Sequence, residues 1–157
     1  MPAITALIHT NNDALRLGRV LETVYPCDEI VVVDHGSRDG TVRVAREYGA
    51  RVIAPKGGAS PAHYVARDYS GWILCLDPRE SLTEGLAASL FEWKTESMPG
   101  SAFSVFLREE TAEGWIENPV AQTRLVPAGW RRWEKLFPSH DAAAVVLEGE
   151  LLRFALP

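Results

Sequence analysis

The sequence is poor in cysteine, in long apolar runs and in clustered positive charge, and each shortage narrows what the chain can be. Its 157 residues hold only Cys27 and Cys75, without Cys-x-x-Cys spacing, so neither a disulfide framework nor a thiolate metal centre is indicated. Cys75 lies inside the apolar run Trp72-Ile73-Leu74-Cys75-Leu76 and reads as a buried thiol. No apolar stretch approaches the roughly 20 residues that cross a bilayer, so no transmembrane segment is expected. The start, Met1-Pro2-Ala3-Ile4, has no basic segment leading into an apolar one, so no signal peptide is expected and the cytoplasm is the default location. Lys and Arg number 16 against 21 Asp and Glu, a formal charge of −5, and no basic cluster stands out. That argues against a nucleic-acid partner, because such binding relies on massed Lys and Arg to displace counterions from phosphates.

What is present is an ordinary globular composition of a length that suits one domain, residues 1–157. Residues 4–8, 30–33, 52–54 and 72–76 are short runs rich in β-branched residues, each followed by polar or Gly/Pro punctuation, and read as strands. Between them lie helical patterns: Leu15, Leu17, Val20, Leu21 and Val24; then Val42, Val44, Ala45 and Tyr48; then a weaker stretch over 62–69. Asn12 or Asp13 can cap the first helix and Thr41 the second, and Gly49 can end the second in a left-handed turn. Strand and helix alternating at this spacing predict right-handed crossovers and a Rossmann-type three-layer α/β/α sandwich with a mostly parallel central sheet.

Such sheets bind ligands beyond the carboxyl ends of their strands. The residues there are His9 to Asp13 after the first strand, Asp34-His35-Gly36-Ser37 after the second and Asp77-Pro78-Arg79-Glu80 after the fourth. After a helix over 83–95, the turn Met98-Pro99-Gly100-Ser101 marks a change of character. Residues 103–107 alternate as a strand, 109–114 read as a hairpin loop and 120–126 as a further strand, giving a β-rich extension over 98–157 after a first half, 1–97. Trp115, Trp130 and Trp133 in this half suit sugar stacking, a partner surface, a homo-oligomer contact or the core equally.

Residues 4–12, the segment Asp28-Glu29-Ile30-Val31-Val32-Val33-Asp34, the motif Gly36-Ser37-Arg38-Asp39-Gly40-Thr41 and the run 71–77 together resemble the nucleotide-sugar half of a family 2 inverting glycosyltransferase of the GT-A fold. The pattern is most similar to the branch that builds lipopolysaccharide core and related bacterial glycans, and residues 121–126 resemble that branch's segment after the hairpin. The resemblance implies transfer of a sugar, with inversion, from a nucleoside diphosphate sugar of UDP type to a glycan or lipid-linked acceptor, at a site peripheral to the inner membrane. It also implies that Asp34 binds the base and that Thr10, Asn12, Asp13 and Gly36 wrap the nucleoside. Asp34 has a purely structural reading as well, since an Asp commonly caps a Gly-Ser turn.

In the family an Asp-x-Asp after the fourth strand holds Mg²⁺ or Mn²⁺ against the two phosphates. Here Asp77 matches its first acid, but Arg79 stands where the metal-binding carboxylate belongs. Three readings stay open: Glu80 joins Asp77 as a metal ligand, Arg79 contacts the pyrophosphate directly, or the chain is a degenerate nucleotide-binding or interaction module. His63 is a candidate phosphate contact where the family has a basic residue beside Asn. Asp141, in Ser139-His140-Asp141, falls near the branch's His-Glu pair and is the candidate general base, or else merely begins an Ala-rich strand.

Overall fold

The computed structural model describes residues 2–65 and 70–156. The first four strands are β1 (Ile4–Thr10), β2 (Glu29–Asp34), β3 (Arg51–Ile53) and β4 (Trp72–Leu76), and they form a parallel block in the order β3-β2-β1-β4. Helix α1 (Ala14–Leu21) joins β1 to β2 and α2 (Thr41–Glu47) joins β2 to β3. The sheet therefore grows in one direction through β3 and then reverses, because β4 returns to the other side of β1. That reversal opens a crevice between the carboxyl ends of β1 and β4.

Beyond β4 the sheet is mixed, which corrects the expected mostly parallel arrangement. Strand β5 (Glu80–Leu82) follows β4 after a tight turn in which Glu80 N–H donates to the Asp77 carbonyl at 3.0 Å. A link that short cannot make a parallel crossover, and β5 pairs antiparallel with β11 at the end of the strand order. Helix α3 (Glu84–Glu96) follows, then β6 (Phe103–Thr111), β7 (Gly114–Glu117), β8 (Gln122–Pro127), β9 (Trp133–Glu134), β10 (Phe137–Pro138) and β11 (Val145–Arg153). The main sheet has nine strands in the order β3-β2-β1-β4-β8-β6-β11-β5, with β7 paired on β6. Strand β8 runs antiparallel to both neighbours, whereas β11 lies parallel to β6.

The three-layer expectation also needs correcting. Helices α1, α2 and α3 all pack on one face, through Leu17, Val20, Leu21, Ala45, Leu86, Leu90 and Trp93 against Ile4, Ile8, Val32, Leu74 and Phe103. The opposite face, with Leu7, Val31, Val33, Ile73 and Cys75, is covered among the described residues by the 3-10 turn Pro61–Tyr64 and by Trp130, Trp133 and Phe137 around the β9–β10 hairpin. The helical pattern over 62–69 is a 3-10 turn as far as Tyr64, and 66–69 lie outside the described residues. The loop expected over 109–114 is mostly strand, the chain reversing only at Ala112-Glu113. Asp141 lies in a turn closed by Ala144 N–H on its carbonyl, and the strand begins at Val145. Gly49 does end α2 in the left-handed region, at φ 81°. Both thiols are titrated out of reach, burial pushing Cys27 and Cys75 up to about 12.

Candidate functional site

At the crevice lies a cavity of about 380 Å³ lined by His9, Thr10, Asn11, Asp13, His35, Asp77, Pro78, Arg79 and Leu136. The volume falls inside the range of about 300–1,000 Å³ usual for small-molecule sites. Asp34, bonded to Thr10 and next in sequence to His35 of that lining, ties the first two loops together. Its Oδ1 accepts from Thr10 Oγ1 at 2.7 Å and from Ser37 Oγ at 2.5 Å, and its Oδ2 accepts from Ser37 N–H at 2.9 Å. Partial burial works against ionisation, yet the bonds from Ser37 and Thr10 outweigh it and hold the Asp34 carboxyl below the usual carboxylate range. A carboxylate offers about four acceptor positions, so one on Oδ2 is left over.

Asn12 takes a left-handed conformation, φ 55°, that sends its N–H to Ser37 Oγ and lets its Oδ1 accept from Arg38 N–H, each at 2.8 Å. Asn11 donates from Nδ2 to the His35 carbonyl at 2.8 Å. Thr41, expected to cap α2, instead accepts from Asp13 N–H at 2.8 Å while donating from its hydroxyl to Asp39. Asp39 also accepts from Ala14 N–H at 3.2 Å, so this Asp fastens both helix starts. Gly36 sits at φ 79° in the turn after β2, a backbone state that by itself calls for glycine. Asn12, Asp34 and Gly36 thus hold Thr10, Asn11 and His35, which form the cavity wall.

Two histidines that the sequence places at the strand ends, but to which it assigns no role, complete that wall. His9 Nδ1 and His35 Nε2 are 2.9 Å apart, with ring centroids separated by 5.2 Å. Burial first, and the neighbouring His35 second, lower His9 to about 4. The signal was weak, because a His at the end of an apolar strand has no pattern of its own.

Asp77 and Arg79 face each other across the mouth of the cavity. Arg79 Nε donates to Asp77 Oδ1 at 3.0 Å and Nη2 to Oδ2 at 3.1 Å, while Arg79 N–H donates to Oδ1 at 2.9 Å. Burial opposes it, but these Arg79 bonds hold the Asp77 carboxyl below its ordinary value. Glu80 is turned away. It is 0% exposed, and its oxygens accept from Arg124 Nη1 and Nη2 at 2.7 and 2.8 Å, from Arg153 Nη2 at 3.1 Å and from Asp77 N–H at 2.8 Å. Taking either charge from such a pair leaves the other buried, at a cost of about 3–5 kcal/mol. Glu80 is therefore the post that fixes the 77–80 turn, and the geometry does not support the metal-ligand reading. Nothing in the β8 run Gln122-Thr123-Arg124-Leu125-Val126 announces that Arg124 pairs with a buried acid.

Of the two carboxylates expected to hold a divalent cation, Asp77 is forked to a guanidinium and Glu80 is consumed by two arginines. Among the described residues no group of three or more His, Cys, Asp or Glu is gathered to hold a metal ion. His63 lies apart, lining a second cavity of about 540 Å³ with Ser60, Trp130 and Arg131. Asp141 is also apart. Its Oδ1 accepts from Ala143 N–H and its Oδ2 from Arg132 Nη2, both at 2.9 Å, and the Ala143 bond followed by Arg132 lowers its carboxyl. Its neighbour His140 borders a third cavity, separated from the first by Leu136 and Phe137 of the β9–β10 turn. The structure thus brings Thr10, Asp13, Asp34, Asp77 and Arg79 together and leaves His63, Glu80 and Asp141 elsewhere.

The mixed sheet with this switch point resembles the fold of known glycosyltransferases of the GT-A kind. The chain is similar to an uncharacterized glycosyltransferase of Rickettsia felis, 37% identical over 92 residues, which cover 55% of this chain and 32% of that protein. It is likewise 36% identical over 89 residues to one of Rickettsia bellii. A TPR repeat-containing protein of Synechococcus elongatus is 32% identical over 121 residues, 74% of this chain and 30% of that one. The chain spans about a third of the length of these curated relatives. Among solved structures it resembles Staphylococcus aureus TarS (residues 1–349), with a TM-score of 0.53, 16% identity, and coverage of 71% of this chain and 37% of that one. It also resembles glucosyl-3-phosphoglycerate synthase of Mycobacterium tuberculosis in complex with Mn²⁺, UDP and phosphoglyceric acid, with a TM-score of 0.51, 18% identity and coverage of 68% and 43%. No family profile matches the chain. Among the described residues no helix is long and apolar enough to cross a membrane.

Proposed function

We propose that this chain is the donor-binding part of a glycosyltransferase, and that the crevice between β1 and β4 takes a uridine diphosphate sugar whose sugar passes, with inversion, to a glycan or lipid-linked acceptor. The observation that carries the reading is Asp34: ionised, fixed by three hydrogen bonds and keeping one acceptor position beside Thr10 and His35, which line the open cavity. A carboxylate so placed suits the imide N3–H of uracil or thymine, whereas N3 of cytosine is an acceptor and would meet it lone pair to lone pair. The relatives named glycosyltransferase and the TarS-like fold support the class of reaction.

The competing reading is a module that binds the nucleotide without transferring sugar. The engaged state of Asp141 favours it, since a general base must reach the acceptor hydroxyl and be basic enough to take its proton. The proposal retains Asp141 as base only in a conformation in which the exposed Arg132 has let go.

Calorimetric titration with UDP, dTDP and CDP tests the reading. UDP and dTDP are expected to bind and CDP to bind at least about tenfold more weakly, with Asp34→Ala erasing the difference. No heat with any nucleotide, or equal binding by the wild type and Asp34→Ala, would refute it. Release of UDP from a UDP-sugar would then separate an enzyme from a binding module.

A further inference from the structure

We propose that Arg79 takes the place of the divalent cation at the pyrophosphate, so that the crevice binds a nucleoside diphosphate without metal. The inference rests on the donor-binding reading above and deepens it.

The cationic charge is built into the turn. The 77–80 segment is closed by Glu80 N–H on the Asp77 carbonyl, pinned beneath by Glu80 on Arg124 and Arg153, and tied to β11 where Phe154 N–H donates to the Arg79 carbonyl at 2.9 Å. Arg79 therefore leaves a fixed stem, with its guanidinium laid against Asp77 in the cavity wall. Only one edge of that guanidinium is used. Nε and one hydrogen of Nη2 go to Asp77, and Nη1 makes no hydrogen bond among the described residues, leaving planar N–H donors of the kind that pair with phosphate oxygens.

The same fork shuts out a metal ion. Both Asp77 oxygens already accept from Arg79, so an incoming divalent cation would have to sit beside a permanent positive charge, with Asp13 the other carboxylate in the wall. Glu80 cannot add its carboxylate without abandoning two arginines. The arrangement has the chemistry of a phosphate clamp in which Asp77 aims the guanidinium.

The test is calorimetric titration with UDP, in EDTA and in Mn²⁺, of the wild type and Arg79→Ala, with a thermal melt of each to confirm folding. Arg79 is half-exposed, so the variant is expected to fold. The wild type is expected to bind UDP equally in both buffers, and Arg79→Ala to bind about tenfold to a hundredfold more weakly in EDTA. Tightening of wild-type binding by tenfold or more on adding Mn²⁺, or an unchanged dissociation constant for Arg79→Ala, overturns the inference and leaves the donor-binding reading standing. Absence of UDP binding by the wild type in either buffer overturns both.

Discussion

His9 shows how a single residue couples the candidate site to acidity. In the folded chain it titrates at about 4, against 6.5 for an ordinary histidine, because it is largely buried and faces His35. As pH falls the unfolded chain takes up that proton first, so protonation favours unfolding. The stability it contributes is complete above about pH 6.5 and drains away as pH falls towards about 4. Urea midpoints measured between pH 7.5 and about 4.5 should show the wild type losing up to about 1 kcal/mol per pH unit in this window. His9→Gln, which cannot titrate, should show a distinctly flatter profile; identical profiles would remove His9 as the cause. The turn-closing use of Asp34 at the end of β2 was legible from its neighbours, because an Asp before a Gly-Ser turn commonly accepts from that turn. The engagement of Glu80 was not legible, because its partners, Arg124 and Arg153, lie 44 and 73 positions away and nothing local announces them.

At the scale of elements, β1 to β4 and the first two helices follow directly from apolar periodicity, since each buries a clean face. Strands of two or three residues, such as β3, β5, β9 and β10, leave too few alternations to be read with confidence in their partners, and only β3 stood out. Strand β11 hid for another reason. Its sequence Val-Val-Leu-Glu-Gly-Glu-Leu-Leu-Arg breaks its own alternation, and the structure shows a shift of register between Val146 and Glu150 along β6. Gly149 makes that shift workable. It sits at φ 91° against the start of α3, where an added Cβ would lie 2.3 Å from Leu86 N and 2.7 Å from Gly85 C. Backbone cannot yield as a side chain would, so Gly149→Ala is expected to lower stability by about 2–5 kcal/mol, through clash and backbone strain together. Chemical denaturation checks this, and a loss below about 1 kcal/mol would mean that α3 and β11 can slide apart.

For the whole molecule, the parallel block was predictable because alternating strand and helix leave few topologies. The far half was not, since β6, β8 and β11 find one another without helices between them and order in sequence says little about order in the sheet. Strand β11 pairs with β6 on one side and β5 on the other, and Thr83 Oγ1 donates to the Glu150 carbonyl at 2.8 Å across a separation of 67 positions. A chain ended after Ala144 is accordingly expected to be recovered in the pellet, and a soluble product with a cooperative melt would contradict that expectation. The same wiring bears on how the polypeptide is made. A ribosome delivers β5 and β6 well before the strand that must lie between them, and through that interval both present bare edges to any other nascent chain nearby. Only when Leu151 slots between Leu82 and Leu107 is the gap sealed, so the hazard lasts from the synthesis of β6 until β11 has emerged.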